Sequence, residues 1–224
     1  MAEGDLSLKT ELFAQFARVG KALASAPRLE LLELLIQAPR TVDALAKAAG
    51  LSMANTSQHL KVLRQAGLVT AHKQGQFVTV RVAGGSVEAL FALLRSVATE
   101  QLAEAERAKQ AYLRVPETME RIDAETLQAR LRDATVTLID VRPPEEFAAA
   151  HLPGALSMPL PSLPDRMASL PTGKPVVAYC RGPYCVYAVK AVAALSQEGY
   201  SASLYEDGVG GWRAAALPLA RGEA

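Results

Sequence analysis

The stretch Tyr179-Cys180-Arg181-Gly182-Pro183-Tyr184-Cys185-Val186 constrains the fold of this chain most, and it holds both cysteines of the protein. Ahead of it, Lys174-Pro175-Val176-Val177-Ala178-Tyr179 is an apolar run behind turn residues, and reads as a buried parallel strand. Behind it, residues 186–195 repeat apolar side chains at three- and four-residue steps, and read as a helix. Cys180 therefore falls where a strand ends and a short loop enters a helix N-terminus. Free amides at such a terminus point toward an anion, the helix dipole adds partial positive charge, and Arg181 adds a full one. Surroundings of this kind favour a thiolate, the reactive form of cysteine. The stretch reads as an anion cradle with a sulfur nucleophile at its base. A structural disulfide and half of a metal site are the plainer alternatives. Against them, the chain shows no sign of export, has no third cysteine, and has His151 as its nearest histidine in sequence.

Composition narrows the setting. The 224 residues are half hydrophobic, enough for one large or two small domains without disulfides or metals. No run of about 18 apolar residues exists, so no membrane span is expected. The polar N-terminus lacks a signal-peptide pattern, and a cytoplasmic setting is expected. Net charge is +1 but unevenly spread: residues 1–115 carry 14 Lys and Arg against 10 Asp and Glu, and the remainder 10 against 13. Residues 40–82 carry six basic side chains to one acidic, a bias that suits nucleic acid.

Along the chain, residues 6–24 place Leu8, Leu12, Phe16, Val19 and Leu23 at helical spacing. Pro27 opens a second helix that runs to Gln37, and Thr41 caps a short third one ended by Gly50. Ser52 then caps a helix that Gly67 ends. Thr56, Leu60 and Leu63 share its inner face. Asn55, Ser57, Gln58 and Lys61 share the outer one, short polar groups able to reach base edges plus a lysine for phosphate. Residues 68–73 and 76–82 read as a hairpin turning at Gln74-Gly75, with His72, Lys73 and Arg81 on or near it. Helix, turn, polar helix and basic hairpin together form a winged helix-turn-helix plan. A helical interaction domain with a merely solvated polar face is the bland alternative.

Residues from about 6 to 112 resemble an ArsR-type winged-helix repressor, through Pro27-Arg28-Leu29-Glu30-Leu31-Leu32 and above all the run from Ser57-Gln58-His59-Leu60-Lys61 to Val69. The resemblance implies a homodimer on double-stranded DNA at a near-palindromic operator, with residues 52–66 in the major groove. His59 matches a position common in that motif, as a packing or phosphate contact. Many relatives sense metals, but here residues 41–49 hold no cysteine and residues 86–112 no histidine, so no metal site is expected. Residues 86–112 read as one long helix, for dimer contact or as a cover for its own domain. Leu113-Arg114-Val115-Pro116 breaks it, and the expected domains are 1–115 and 116–224.

The second half alternates helices and strands, which implies an α/β domain with a parallel sheet and a ligand site at the carboxyl ends of the strands. It resembles a rhodanese domain over about residues 120–221. The resemblance rests on Leu138-Ile139-Asp140-Val141-Arg142, Glu145-Glu146-Phe147, His151-Leu152-Pro153-Gly154-Ala155, the cysteine loop, Asp207-Gly208, Trp212 and Ala216-Leu217-Pro218. One departure is Ala150, where the family has the glycine of a Gly-His pair. The resemblance implies that Cys180 takes sulfane sulfur as a persulfide. The amides from Arg181 through Gly182, Pro183, Tyr184 and Cys185 to Val186 would cradle a small donor such as thiosulfate or a persulfide, with no cofactor. Asp140 and Arg142 match a strand-end pair read as a structural salt bridge, and Trp212 as core. A related fold uses a Cys-x5-Arg loop for phosphate or arsenate, but here the residue in that place is Val186, which argues against such chemistry. Cys185 is either a residue that closes the loop or a resolving thiol for Cys180. The expected protein is a regulator whose rhodanese half senses or transfers sulfur. A tethered sulfurtransferase enzyme, or an interaction module without chemistry, are the alternatives.

Overall fold

The computed structural model describes residues 3–75, 77–171 and 173–222. The chain divides into two compact units, Met1–Ser96 and Val97–Ala224. The division falls inside a helix, earlier than the 115/116 boundary expected from sequence.

The first unit begins with α1 (Glu3–Leu23), α2 (Ala26–Gln37), β1 (Arg40–Thr41), α3 (Val42–Ala48) and α4 (Met53–Gln65). A hairpin of β2 (Val69–Gln74) and β3 (Phe77–Val82) follows, then α5 (Gly85–Gln101). The expected caps form: the Thr41 hydroxyl accepts from Ala44 N, and the Ser52 hydroxyl from Asn55 N. Gly67 ends α4 at φ +72°, a backbone that glycine adopts without strain. The sheet is antiparallel in the order β1-β3-β2, with Val69 opposite Val82 and Lys73 opposite Val78. Gln76, expected to open the second strand, lies outside the described residues. Leu31, Leu32, Leu35, Leu45, Leu60, Leu63, Val80 and Phe91 build the core.

Two helices differ from their sequence reading. In α1, Leu23 is buried, but Leu8, Leu12 and Phe16 are 65 %, 52 % and 58 % exposed in the single chain. The expected long helix over residues 86–112 is two: α5 stops at Gln101, and α6 (Ala103–Leu113) starts anew. Leu102 between them is extended, at φ −115° and ψ 104°, and caps α6. Glu104 and Glu106 fall in the first turn of α6, where the dipole favours acids. The charge pattern thus suits a fresh N-terminus, while apolar spacing alone ran on through it.

In the second unit, β4 (Arg121–Ile122), α7 (Ala124–Arg132), β5 (Thr137–Asp140), α8 (Pro144–Ala149) and β6 (Leu156–Ser157) come first. Then follow α9 (Leu163–Arg166) between two 3-10 turns, β7 (Val176–Tyr179), α10 (Val186–Gln197), β8 (Ala202–Tyr205) and α11 (Gly208–Ala214). The five strands are parallel in the order β4-β8-β7-β5-β6. Successive side chains alternate between two apolar layers, as the period of a strand requires. Ile139, Val176, Ala178 and Leu204 pack with Ala188, Val192 and Leu195 of α10. Leu138, Val177, Tyr179 and Tyr205 pack with Leu127, Phe147 and Trp212 on the other face.

Asp140 and Arg142 close the carboxyl end of β5. Both are fully buried; Arg142 donates from Nε to both Asp140 oxygens at 3.0 and 3.1 Å, from Nη2 to Oδ2 at 2.6 Å, and to Ala150 O at 2.6 Å. Burial alone would lower the Arg142 pKa, but the hydrogen bond and charge of Asp140 outweigh it and raise the pKa above its ordinary value. The pair ties β5 to the end of α8. Asp140→Ala strands a buried cation and is expected to cost about 3–5 kcal/mol, read as an earlier urea transition of the second unit. Replacing both together, Asp140→Leu with Arg142→Met, is expected to cost clearly less than Asp140→Ala.

Candidate functional site

Cys180 follows β7 directly and is almost fully buried at the carboxyl edge of the parallel sheet. Cys185 is the N-cap residue of α10, and its N–H donates to Gly182 O at 3.1 Å. The two cysteines are joined as a disulfide, with 6.3 Å between their Cα atoms. Between them, Gly182 is buried, while Arg181, Pro183 and Tyr184 are half-buried, as is Val186 beyond. The structure thus brings together every residue of the expected cradle, in the bonded form of its two sulfurs.

The N-terminal turn of α11 holds the cysteine loop by its backbone. Val209 N donates to Cys180 O and Gly210 N to Arg181 O, each at 3.2 Å. Gly208 sits at φ +56°, and a Cβ there would lie 2.3 Å from Cys180 O and 2.7 Å from Gly182 N. Only glycine fits this approach.

Arg181 does not point its charge into the loop alone. Its Nε and Nη2 donate to Glu146 of α8 at 2.9 and 2.7 Å, a two-pronged pair with a fully buried carboxylate. The Arg181 side chain itself is 17 % exposed. Its guanidinium also lies 5.7 Å from the Tyr187 ring centre. At the foot of β7, the Tyr179 hydroxyl accepts from Leu152 N at 3.0 Å. Burial, with Asp140 nearby, pushes that phenol well above its ordinary pKa, so it stays neutral.

In the first unit, Thr56, Leu60 and Leu63 of α4 are buried, while Asn55, Ser57, Gln58 and Lys61 are exposed on one surface. His59 is half-buried. Lys73 and Arg81 are exposed on the hairpin, and Arg81 Nε donates to Thr70 Oγ1 at 3.3 Å. Ser57, Lys61 and Arg64 border a cleft between α4 and the hairpin, floored by Leu60, Val69 and Val80. Among the described residues no group of three or more His, Cys, Asp or Glu is placed to hold a metal ion.

Comparison with known proteins separates the two halves and then joins them. Residues 26–71 match the family described as bacterial regulatory protein, arsR family, and residues 123–215 match the rhodanese-like domain. The HTH-type transcriptional regulator Rv0324 of Mycobacterium tuberculosis is 42 % identical over 219 residues, spanning 98 % of this chain and 96 % of that protein. The chain belongs to the ArsR-family HTH-type transcriptional regulators with a C-terminal rhodanese domain. Within this ArsR–rhodanese regulator, the second half alone is 39 % identical over 100 residues to a sulfurtransferase of Allochromatium vinosum, covering 44 % of the chain and 92 % of that protein. The first half is 46 % identical to a homodimeric winged helix-turn-helix DNA-binding domain from Mycobacterium bovis solved in solution, with a TM-score of 0.41, covering 42 % of this chain and 87 % of that one.

Two features of the regulator escaped single-residue reasoning. Glu146 appeared only as part of a resembling motif, and its pairing with Arg181 across 35 positions has no local signal. Arg64 sits one helical turn beyond Lys61 on α4, a position that the period alone could have marked. The glycine-rich run Gly208-Val209-Gly210-Gly211 forms the first turn of α11, which lies against the cysteine loop. Gly208→Ala forces both a left-handed backbone and a clash with backbone atoms. It is expected to lower stability by more than about 2 kcal/mol. Calorimetry should show an earlier transition of the second unit, and reduced Cys180 should alkylate faster. Gly210→Ala, whose Cβ would lie 3.3 Å from Arg181 O, should be milder.

Proposed function

We propose that this regulator is a repressor that sulfane sulfur switches through Cys180 and Cys185. It binds a near-palindromic operator as a homodimer. In this reading Asn55, Ser57, Gln58 and Lys61 meet base edges and phosphates in the major groove. His59, Lys73, Arg81 and Arg64 hold the backbone. Dimerisation is favoured by the apolar surface that Leu8, Leu12, Phe16 and Leu93 leave exposed in one chain. Among the described residues no helix is long and apolar enough to cross a membrane, and the proposed setting is cytoplasmic.

The observation that carries the sulfur reading is the Cys180–Cys185 bond at the strand-to-helix loop of a rhodanese-like fold. The chemistry balances with the donor's sulfane sulfur as the oxidant. Cys180 thiolate attacks the outer sulfur of a persulfide donor and releases the donor's thiol, which leaves a persulfide on Cys180. Cys185 thiolate then attacks the Cys180 sulfur and expels hydrosulfide, which closes the disulfide. The sulfane sulfur is reduced to sulfide while the two thiols are oxidised. A cellular thiol in excess reverses the switch by exchange.

A second reading is a sulfurtransferase that passes the Cys180 sulfur to an acceptor, favoured by similarity to the Allochromatium vinosum protein. There Cys185 is dispensable and the bond is a resting form.

Operator binding by the full chain separates them. Treating reduced wild type with a persulfide donor is expected to change operator affinity about tenfold. Cys180→Ser should not respond. Cys185→Ser should gain the mass of one sulfur without bridging. Equal DNA binding in all states, with rapid turnover of thiosulfate to cyanide lost in Cys180→Ser, would favour the enzyme.

A further inference from the structure

We propose that Tyr184 transmits the state of the Cys180–Cys185 bond to the α5–α6 segment. The trigger rests on the sulfur-switch reading, but the mechanical link can be tested without a sulfur donor.

Tyr184 lies inside the ring that the disulfide closes, one residue before Cys185. Its side chain meets residues of α5 and α6 that belong to the second unit. The Tyr184 hydroxyl is 3.4 Å from Thr99 Oγ1, near the end of α5. Lys109 of α6 places its ammonium 5.7 Å from the Tyr184 ring centre, within cation–π range, and is itself 3.9 Å from Glu106. Leu113 at the end of α6, and Val115 after it, border a narrow cleft with Gly182, Pro183 and Cys185. The loop therefore meets the segment through a hydroxyl, a ring face and an aliphatic edge. All three contacts involve residues in the span 180–185, which the bond constrains.

The upstream half of the lever is one helix. α5 contributes Val87 and Phe91 to the buried core of the first unit, and its last turns carry Thr99. α5 ends at Gln101 before the extended Leu102, so Thr99 lies next to a break where a helix end can shift without unfolding either helix. When the bond opens, Cys185 is freed from Cys180 and the backbone of Tyr184 gains freedom. Its contacts with Thr99 and Lys109 then differ between the two states. That difference is what a coupling between sites requires.

The test uses the full chain. Diamide oxidises the two thiols to the disulfide and takes up their two hydrogens, while a phosphine reduces it back. Hydrogen exchange followed by mass spectrometry reads residues 97–113 in both forms, and intact mass reads the bridge. Wild type should exchange at least severalfold faster there when reduced. Tyr184→Phe, which removes only the hydroxyl, should shrink the difference, as should Thr99→Val from the other side. Tyr184→Ala should abolish it while still bridging. If exchange in wild type is the same in both forms, or if Tyr184→Ala keeps the full difference, the proposal is wrong. Failure of a persulfide donor to bridge wild type would instead overturn the sulfur reading and leave the exchange result to decide the link. If Tyr184→Ala does not fold, Tyr184→Phe and Thr99→Val decide, and unchanged exchange differences in both overturn the link.

Discussion

The backbone of Gly208 lies against the backbone of the cysteine loop, and the geometry of the candidate site depends on that contact. Cys180 and Arg181 each offer a carbonyl to an amide in the first turn of α11, so the first residues after β7 cannot relax independently. Side chains do not make this contact, and no side chain larger than hydrogen is compatible with it at position 208. The result is a cysteine held almost out of solvent at the carboxyl end of the central strand, with a partner cysteine fixed at the N-cap of the next helix. The buried Asp140–Arg142 pair supports the same end of the sheet from the neighbouring strand by anchoring α8 through Ala150. Two unlike interactions, one backbone and one ionic, thus set the strand ends where the sulfur chemistry is proposed.

Much of this was legible in the chain, for identifiable reasons. Strands buried on both faces read as continuous apolar runs, so Val176–Tyr179 stood out. The caps at Thr41 and Ser52 are local, one side chain to one amide three residues on, and local rules found them. What stayed hidden was non-local or of opposite sign. The Arg181–Glu146 pair joins elements far apart in sequence, and an arginine beside a reactive cysteine reads naturally as a ligand group. The break at Leu102 was hidden because apolar residues at helical spacing continue across it; only the acidic turn that follows hints at a new start. The exposure of Leu8, Leu12 and Phe16 has a different cause. Periodicity reports that a face is apolar, and not which molecule covers it.

The pairing of Arg181 with Glu146 bears on what the loop can bind. A buried carboxylate needs partners, and removing Arg181 would take away the two hydrogen bonds that it donates to Glu146. The arginine is therefore held in place by a structural demand. Its charge is largely balanced by the carboxylate before any anion arrives. The α10 N-terminus adds to what a ligand would meet, since a helix dipole favours negative charge there. Val186 stands where a phosphate-clamping loop would supply a second arginine. The loop therefore lacks the arginine clamp of a phosphate-binding loop. Sulfur exchange asks less of it: a thiolate, a second thiol within reach, and a backbone that holds them together. The loop of this regulator meets the last two conditions, because Cys185 is bonded to Cys180 and the first turn of α11 holds the start of the loop at Cys180 and Arg181.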